Sequence, residues 1–441
     1  MTEEKKFLKR PEKKETLAGK QEERLRRLNH LRKRLPELPP QWWVGAGEIV
    51  GLGALSALQL YLLLPFFGKP DTANVFSAPV IPVLASVTNA LVPYSFGVRI
   101  WLLVFLIFFP VSFYFFVREI SGRKLTGFLS SLLVSLSIGI FLPLRVSLGL
   151  LAEDGAHIAS LTFIPLVCLL LLRFLRSGNF WAGILTALGT TLVALSSPIG
   201  FFILTTFMVI ITFSEMLQGR GRLKAARFLI VLVLAAGFSA FWYNPKFVIL
   251  TIKSPQGQLI KKTLSTLLPI SFFLFPLLGV FGFLLFENRP QLQPMFIAFF
   301  QTLTFGLFSL GAGVAHPSPS RFLPAFGISL AFLLGISITG LFDFLRLSDW
   351  LARFKISTSR RNLVAFSLLG LVLVTLTLII FLFAPSLWSL EETQVLGALS
   401  PDKTVGMWEI KEKTNQIESL VGYMISGVSA LSVLILRLKL P

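Results

Sequence analysis

Read as apolar and polar stretches, the chain breaks into long runs of Leu, Phe, Val and Ile, separated by short segments carrying Lys, Arg, Pro and Gly. Runs such as Leu125–Leu144, Phe228–Trp242 and Leu363–Pro385 meet or approach the ~20 apolar residues that a helix needs to cross a hydrocarbon core of ~30 Å. They do not alternate apolar with polar positions, as the strands of a membrane barrel do. The pattern therefore predicts an all-α, polytopic transmembrane helical bundle. Its crossings fall at roughly 43–66, 97–117, 126–147, 158–173, 180–196, 199–216, 228–243, 266–286, 295–314, 322–344, 363–385 and 419–436, about twelve in all.

Three territories follow from the same pattern. Residues 1–41 form a basic tail, 42–345 the main membrane core, and 346–441 a C-terminal pair of crossings joined by an external loop. Within the tail, Leu25, Leu28, Leu31 and Leu35 recur at helical spacing among Arg and Lys. Such a helix either lies on the inner leaflet with its apolar stripe down or stays solvated and only enforces topology. Pro36, Pro39 and Pro40 stop it, and Trp42 and Trp43 mark the membrane interface. In the first long polar loop, Gly68–Val98, the stretch Ala78–Val92 predicts a short re-entrant or interfacial helix with Pro79 and Pro82 near its start.

Composition agrees with this picture, since 54% of residues are hydrophobic. A net charge of +19 invites a nucleic-acid reading, but the distribution of charge argues against one. Most of the 41 Lys and Arg fall in the tail and in alternate loops. That is the positive-inside bias of a multi-pass protein of the cell (plasma or inner) membrane with both termini cytoplasmic. No soluble domain is left to carry a nucleic-acid site, so lipids are the expected surroundings. The lone Cys168 lies in an apolar run and reads as a packed thiol. The crossings look nearly bare of charge, with Glu48 and Asp343 both toward inner ends.

Candidate chemistry therefore concentrates on the outer edge. Asp71, in Gly68-Lys69-Pro70-Asp71-Thr72, is placed either as a general base toward an acceptor hydroxyl or as a cap on the helix that follows. Glu153, Asp154 and His157 form the densest polar cluster at any crossing edge. They are suited to binding a sugar or orienting an acceptor, or else to capping a helix and facing water. Arg321, after His316-Pro317-Ser318-Pro319-Ser320, has the forked donor geometry that suits a lipid phosphate. His316 sits at the same edge, and Lys246, Lys253, Lys261 and Lys262 supply further cations.

These segments resemble the multi-spanning GT-C-type glycosyltransferase superfamily, and in particular its branch labelled "6-pyruvoyl-tetrahydropterin synthase-related membrane protein". The likeness covers about residues 50–345. It rests on the polar first outer loop and on FYFFVREISGRKLTGFLSS at Phe113–Ser131, AEDGAHIASLTFIPLVCLLLL at Ala152–Leu172, ALSSPIGFF at Ala194–Phe202, FSAFWYNPKF at Phe238–Phe247 and SPSRFLPAFGISLAFLLGI at Ser318–Ile336. The resemblance implies a GT-C-like fold and a transferase that draws on a polyprenyl-phosphate sugar donor. The acceptor is a glycan, lipid or protein on the extracytoplasmic face, and Asp71 is the activating carboxylate. In place of the family's paired Asp-x-Asp, Asp71 is followed by Thr72, Ala73 and Asn74, and serines stand at 196 and 197. No cofactor is expected, and a divalent-metal requirement is disfavoured. The alternatives are a transporter or flippase of lipid-linked saccharides, which needs polar residues deep in several crossings, and a non-catalytic membrane assembly protein.

Overall fold

A computed structural model describes residues 42–63, 78–91, 97–135, 155–254, 292–310, 322–344, 414 and 416–439, with isolated positions at 258, 261 and 280. The chain divides into two compact units, Met1–Val50 and Gly51–Pro441. Of the first, only the opening part of helix α1 (Trp42–Leu63) is described. The second holds the rest of α1 and every other element.

Every regular element among the described residues is a helix. After α1 come α2 (Val80–Leu91), α3 (Gly97–Ser121), α4 (Lys124–Ser135), α5 (Gly155–Ser177), α6 (Phe180–Ser196), α7 (Pro198–Leu217) and α8 (Gly221–Ser239). Then follow α9 (Pro245–Lys253), α10 (Gln293–Leu310), α11 (Leu323–Phe344) and α12 (Gln416–Lys439). Stretches of α3, α5, α7, α11 and α12 are long and apolar enough to cross a membrane, five among the described residues. The helices α2, α4, α6 and α10 are apolar but shorter. The predicted crossings at 266–286 and 363–385 lie outside the described residues, apart from the single helical position 280.

Helix α2 matches the short helix expected in the first outer loop and is only 12 residues long. It leans on α3, where the Trp101 indole donates to the Leu84 carbonyl at 3.2 Å and to the Thr88 hydroxyl at 2.7 Å. The Gly97 amide donates to Asn89 Oδ1 at 3.0 Å. Together these bonds fold α2 back along the first turns of α3.

The core is built from Phe109, Phe113 and Phe116 of α3, Leu171 and Leu172 of α5, Phe207 and Ile211 of α7, and Phe305 and Phe332 of α10 and α11. Lipid offers no hydrophobic drive for helices to associate, so close approach and polar contacts decide the packing. Gly183 of α6 lies under the Phe174 ring and Gly189 under Val167, which lets α5 and α6 press together. Between α3 and α5, Ser112 Oγ donates to the Thr162 carbonyl at 3.1 Å, and Thr162 Oγ1 donates to the Phe105 carbonyl at 3.0 Å. Both bonds lie close to the in-helix prolines Pro110 and Pro165, each of which removes a backbone donor. Toward the start of the unit, Gln59 of α1 donates to the Ser135 carbonyl at 3.0 Å, fixing α1 against the last turn of α4.

Successive helices reverse direction, so the bundle has two unlike ends. At one end stand Arg118, Lys124, Arg173, Arg176, Arg220 and Lys224, near the ends of α3 to α8. The opposite end carries the starts of α3, α5, α7 and α11 and, among the described residues, fewer cations, Lys246 and Lys253 of α9 among them. These are called the basic end and the sparse end below.

Candidate functional site

Among the described residues, the polar groups of the sparse end gather where α5 begins and α6 turns into α7. His157 and Ser160 occupy the first turns of α5 and are wholly buried. The Ser160 hydroxyl donates to the His157 carbonyl at 2.5 Å. Opposite them, Ser197 serves two helices at once. Its extended backbone (φ −155°, ψ 127°) ends α6, with its amide donating to the Val193 carbonyl at 2.9 Å. Its hydroxyl accepts from the Gly200 amide at 3.2 Å, which makes it the N-cap of α7, and Pro198 stands at the first helical position. A serine cap followed by proline is a strong helix-start signal, because proline has no amide to leave unsatisfied.

Gly200 is the contact point between these segments. Its backbone runs against the Ser160 side chain so closely that a Cβ there would overlap the hydroxyl. Two residues further along, Phe202 packs against Phe322 at 5.9 Å and Phe308 at 6.0 Å, and those two rings lie 5.3 Å apart. Phe322 immediately follows Arg321 in sequence and is buried. Two separate contacts thus meet the start of α7: Ser160 of α5 on Gly200, and Phe322 on Phe202, which lies on a more exposed face of the helix. Nearby, the Tyr243 hydroxyl donates to the Ala194 carbonyl at 2.6 Å, tying the segment after α8 to the last turn of α6.

Of the residues that sequence singles out, His157 is buried one turn before Ser160, at the meeting of α5 with α7. Lys246, in the first turn of α9, pairs with Glu418 of α12 at 3.2 Å. Asp71, Glu153, Asp154, His316 and Arg321 lie outside the described residues.

The basic end holds a second polar cluster, which the sequence reading passed over. Glu215, in the last turn of α7, has a side chain only 1% exposed. Arg176 reaches its Oε1 through the Nη2 nitrogen at 2.8 Å and through Nε at 2.9 Å. Lys224 contacts Oε2 at 2.9 Å, and Gln293 Nε2 donates to Oε1 at 2.9 Å. One carboxylate therefore joins α5, α7, α8 and α10. An ionised group this deep is tolerable only when charge partners and hydrogen bonds replace its lost hydration, and here both do. Arg227 adds a further link, donating to the carbonyls of Leu175 at 2.8 Å and Phe174 at 3.3 Å. The available signal was an acidic residue inside an apolar run, followed by the basic turn from Arg220 to Lys224.

The sparse-end cluster is a histidine and two hydroxyls buried at a tight backbone approach, with both hydroxyls engaged in bonds at the helix starts. The basic-end cluster engages one carboxylate with two cations and a glutamine, which suits a structural clamp. The chain matches no protein-family model, no curated protein and no solved structure.

Proposed function

We propose that this chain is an integral membrane glycosyltransferase that moves a sugar from a polyprenyl-phosphate carrier to an acceptor glycan, lipid or protein outside the cytoplasm. In this reading the protein sits in the cell membrane with its basic end and both termini cytoplasmic, in keeping with the positive-inside bias. The observation that supports the proposal is that the first turns of α5, which hold His157, and the start of α11 at Phe322 both pack on the start of α7.

The chemistry asks little more of the protein. Asp71 takes the proton of an acceptor hydroxyl as that oxygen bonds to the anomeric carbon. The bond from that carbon to the carrier phosphate breaks, and the phosphate leaves on its lipid with the electron pair. Arg321, supplemented by Lys246, stabilises the charge gathering on the phosphate, and Glu153, Asp154, His157 and His316 hold the sugar and acceptor in line. The donor supplies its own leaving group, so no nucleotide pocket is required.

The test offers the purified full chain a panel of polyprenyl-phosphate sugars, alongside Asp71→Asn and Arg321→Gln variants. Transfer by the parent with a ≥100-fold loss in Asp71→Asn, in the range typical of a removed general base, supports the assignment. Undiminished transfer in that variant removes Asp71 as the base. Absence of transfer from every donor defeats the proposal.

A further inference from the structure

The segment between α8 and α9 is an elbow in which the backbone leaves the helical path. Helix α8 ends at Ser239, residues 240–244 turn, and Asn244 caps α9 by accepting from the Phe247 amide at 2.7 Å. A backbone break of this kind in an apolar setting must find hydrogen-bond partners from neighbouring elements. Here α12 provides them. Ser426 Oγ donates to the Gly237 carbonyl at 2.9 Å and accepts from the Phe241 amide at 2.9 Å.

Most other contacts of α12 fall on the same stripe, beside a stacking of the Tyr423 ring on Phe241 at 6.4 Å. Glu418 pairs with Lys246 at the start of α9. One turn on, Gly422 lies against the elbow, where an added methyl would stand 3.1 Å from Asn244 Cβ and overlap the Ala240 carbonyl. Ser429 then rests on Gly237. Residues 418, 422, 426 and 429 recur at the three- and four-residue spacing of one helix face. Away from that stripe, Leu420, Met424, Val428 and Leu431 are each more than half exposed. The helix is thus joined to the bundle along a narrow line of small and polar residues, with one ring contact beside it, directed at the elbow and the last turn of α8.

We propose that α12 is a releasable strap: it holds the α8–α9 elbow in its bent form, and its undocking uncovers Ala240 and Asn244 without opening the bundle core. The contacts that hold it are weak singly and share one line, so loss of any of them raises the undocked population. The core behind the elbow is held by separate and more extensive packing.

A thiol introduced by Ala240→Cys reads the strap, because Ala240 is 6% exposed beneath Gly422. The native Cys168, fully buried in the core, reports whether the whole bundle has opened. Full-length protein in lipid nanodiscs is treated with a small membrane-permeant maleimide, and modification at each site is followed by mass spectrometry. Adding Ser426→Ala accelerates labelling at position 240 about thirtyfold, the combined worth of two ordinary hydrogen bonds. Adding Glu418→Gln accelerates it up to about fivefold, the upper range for an exposed ion pair. Cys168 stays unreactive in all three proteins. Equal rates at position 240 in the parent and both variants overturn the proposal. So does labelling at 240 that always rises together with Cys168, which marks global opening rather than strap release.

Discussion

The Glu215 carboxylate and the Lys224 ammonium, nine residues apart across the α7–α8 turn, meet at 2.9 Å, and the same ammonium donates to the Glu215 main-chain carbonyl at 2.6 Å. One cation therefore shares with Arg176 the neutralisation of a buried acid and adds a second donor, beside the Gln218 amide, to a carbonyl in the last turn of the helix that carries it. Removing the acid strands Lys224 and Arg176 together. Glu215→Leu is expected to destabilise the bundle by about 3 kcal/mol, the lower range for breaking a buried ion pair. Reversible unfolding in mixed micelles measures it. A loss below about 1 kcal/mol means that water reaches the cluster and screens it.

Gly200 and Ser160 set a steric prediction at the sparse end. Gly200→Val drives a branched side chain into the Ser160 hydroxyl and is expected to cost about 1–3 kcal/mol, as overpacking does. Ser160→Gly in the same chain should recover most of that loss. Additive losses in the double variant show that the two positions are not in direct contact. If the proposed transfer activity is present, Gly200→Val should also reduce it, because His157 shares this junction.

Tyr243 and Ala194 provide a milder probe. Tyr243→Phe keeps the ring but removes the donor to the Ala194 carbonyl, leaving that acceptor unpaired among buried groups. The expected loss is about 1 kcal/mol, read from the same unfolding transition. No change in stability argues that the carbonyl finds another donor.

Orientation is tested at the α7–α8 turn. Arg222 is exposed at the basic end, and the buried Cys168 does not compete for reagent. A thiol from Arg222→Cys should react with an impermeant maleimide only after cells are permeabilised. Reaction in intact cells reverses the assignment of inside and outside.

Much of the architecture could be read directly from sequence, because a membrane crossing is written in uninterrupted apolar length. The short helix at Val80–Leu91 was also foreseeable, since Pro79 and Pro82 mark a helix start and the stretch is too brief to span. The elbow was not. The run Phe228–Trp242 reads as one crossing by hydropathy, whereas the helix begins at Gly221 and ends at Ser239. Asn244-Pro245 starts another, a cap-and-proline signal that a hydropathy scan does not weigh. Glu215 was hidden for a related reason. One acid barely lowers the hydropathy of a 20-residue helix, and its partners Arg176 and Gln293 are 39 and 78 residues away. At the sparse end, sequence selected His157, but the partnership of Ser160 with Gly200 depends on a helix crossing that spacing along the chain does not encode.

The cations that close two helix ends come late in the chain. The carbonyls finishing α5 accept from Arg227, and the one near the end of α7 accepts from Lys224, so both helices precede their own terminators. During synthesis the Phe174 and Glu215 carbonyls are met first by the amides of Gly178 and Gln218. The side-chain bonds from Lys224 and Arg227 are added only when α8 emerges from the ribosome. A nascent chain cut short before residue 224 would therefore lack both late cations and leave Glu215 with Arg176 as its charge partner, a signature that membrane proteases can read as unfinished work.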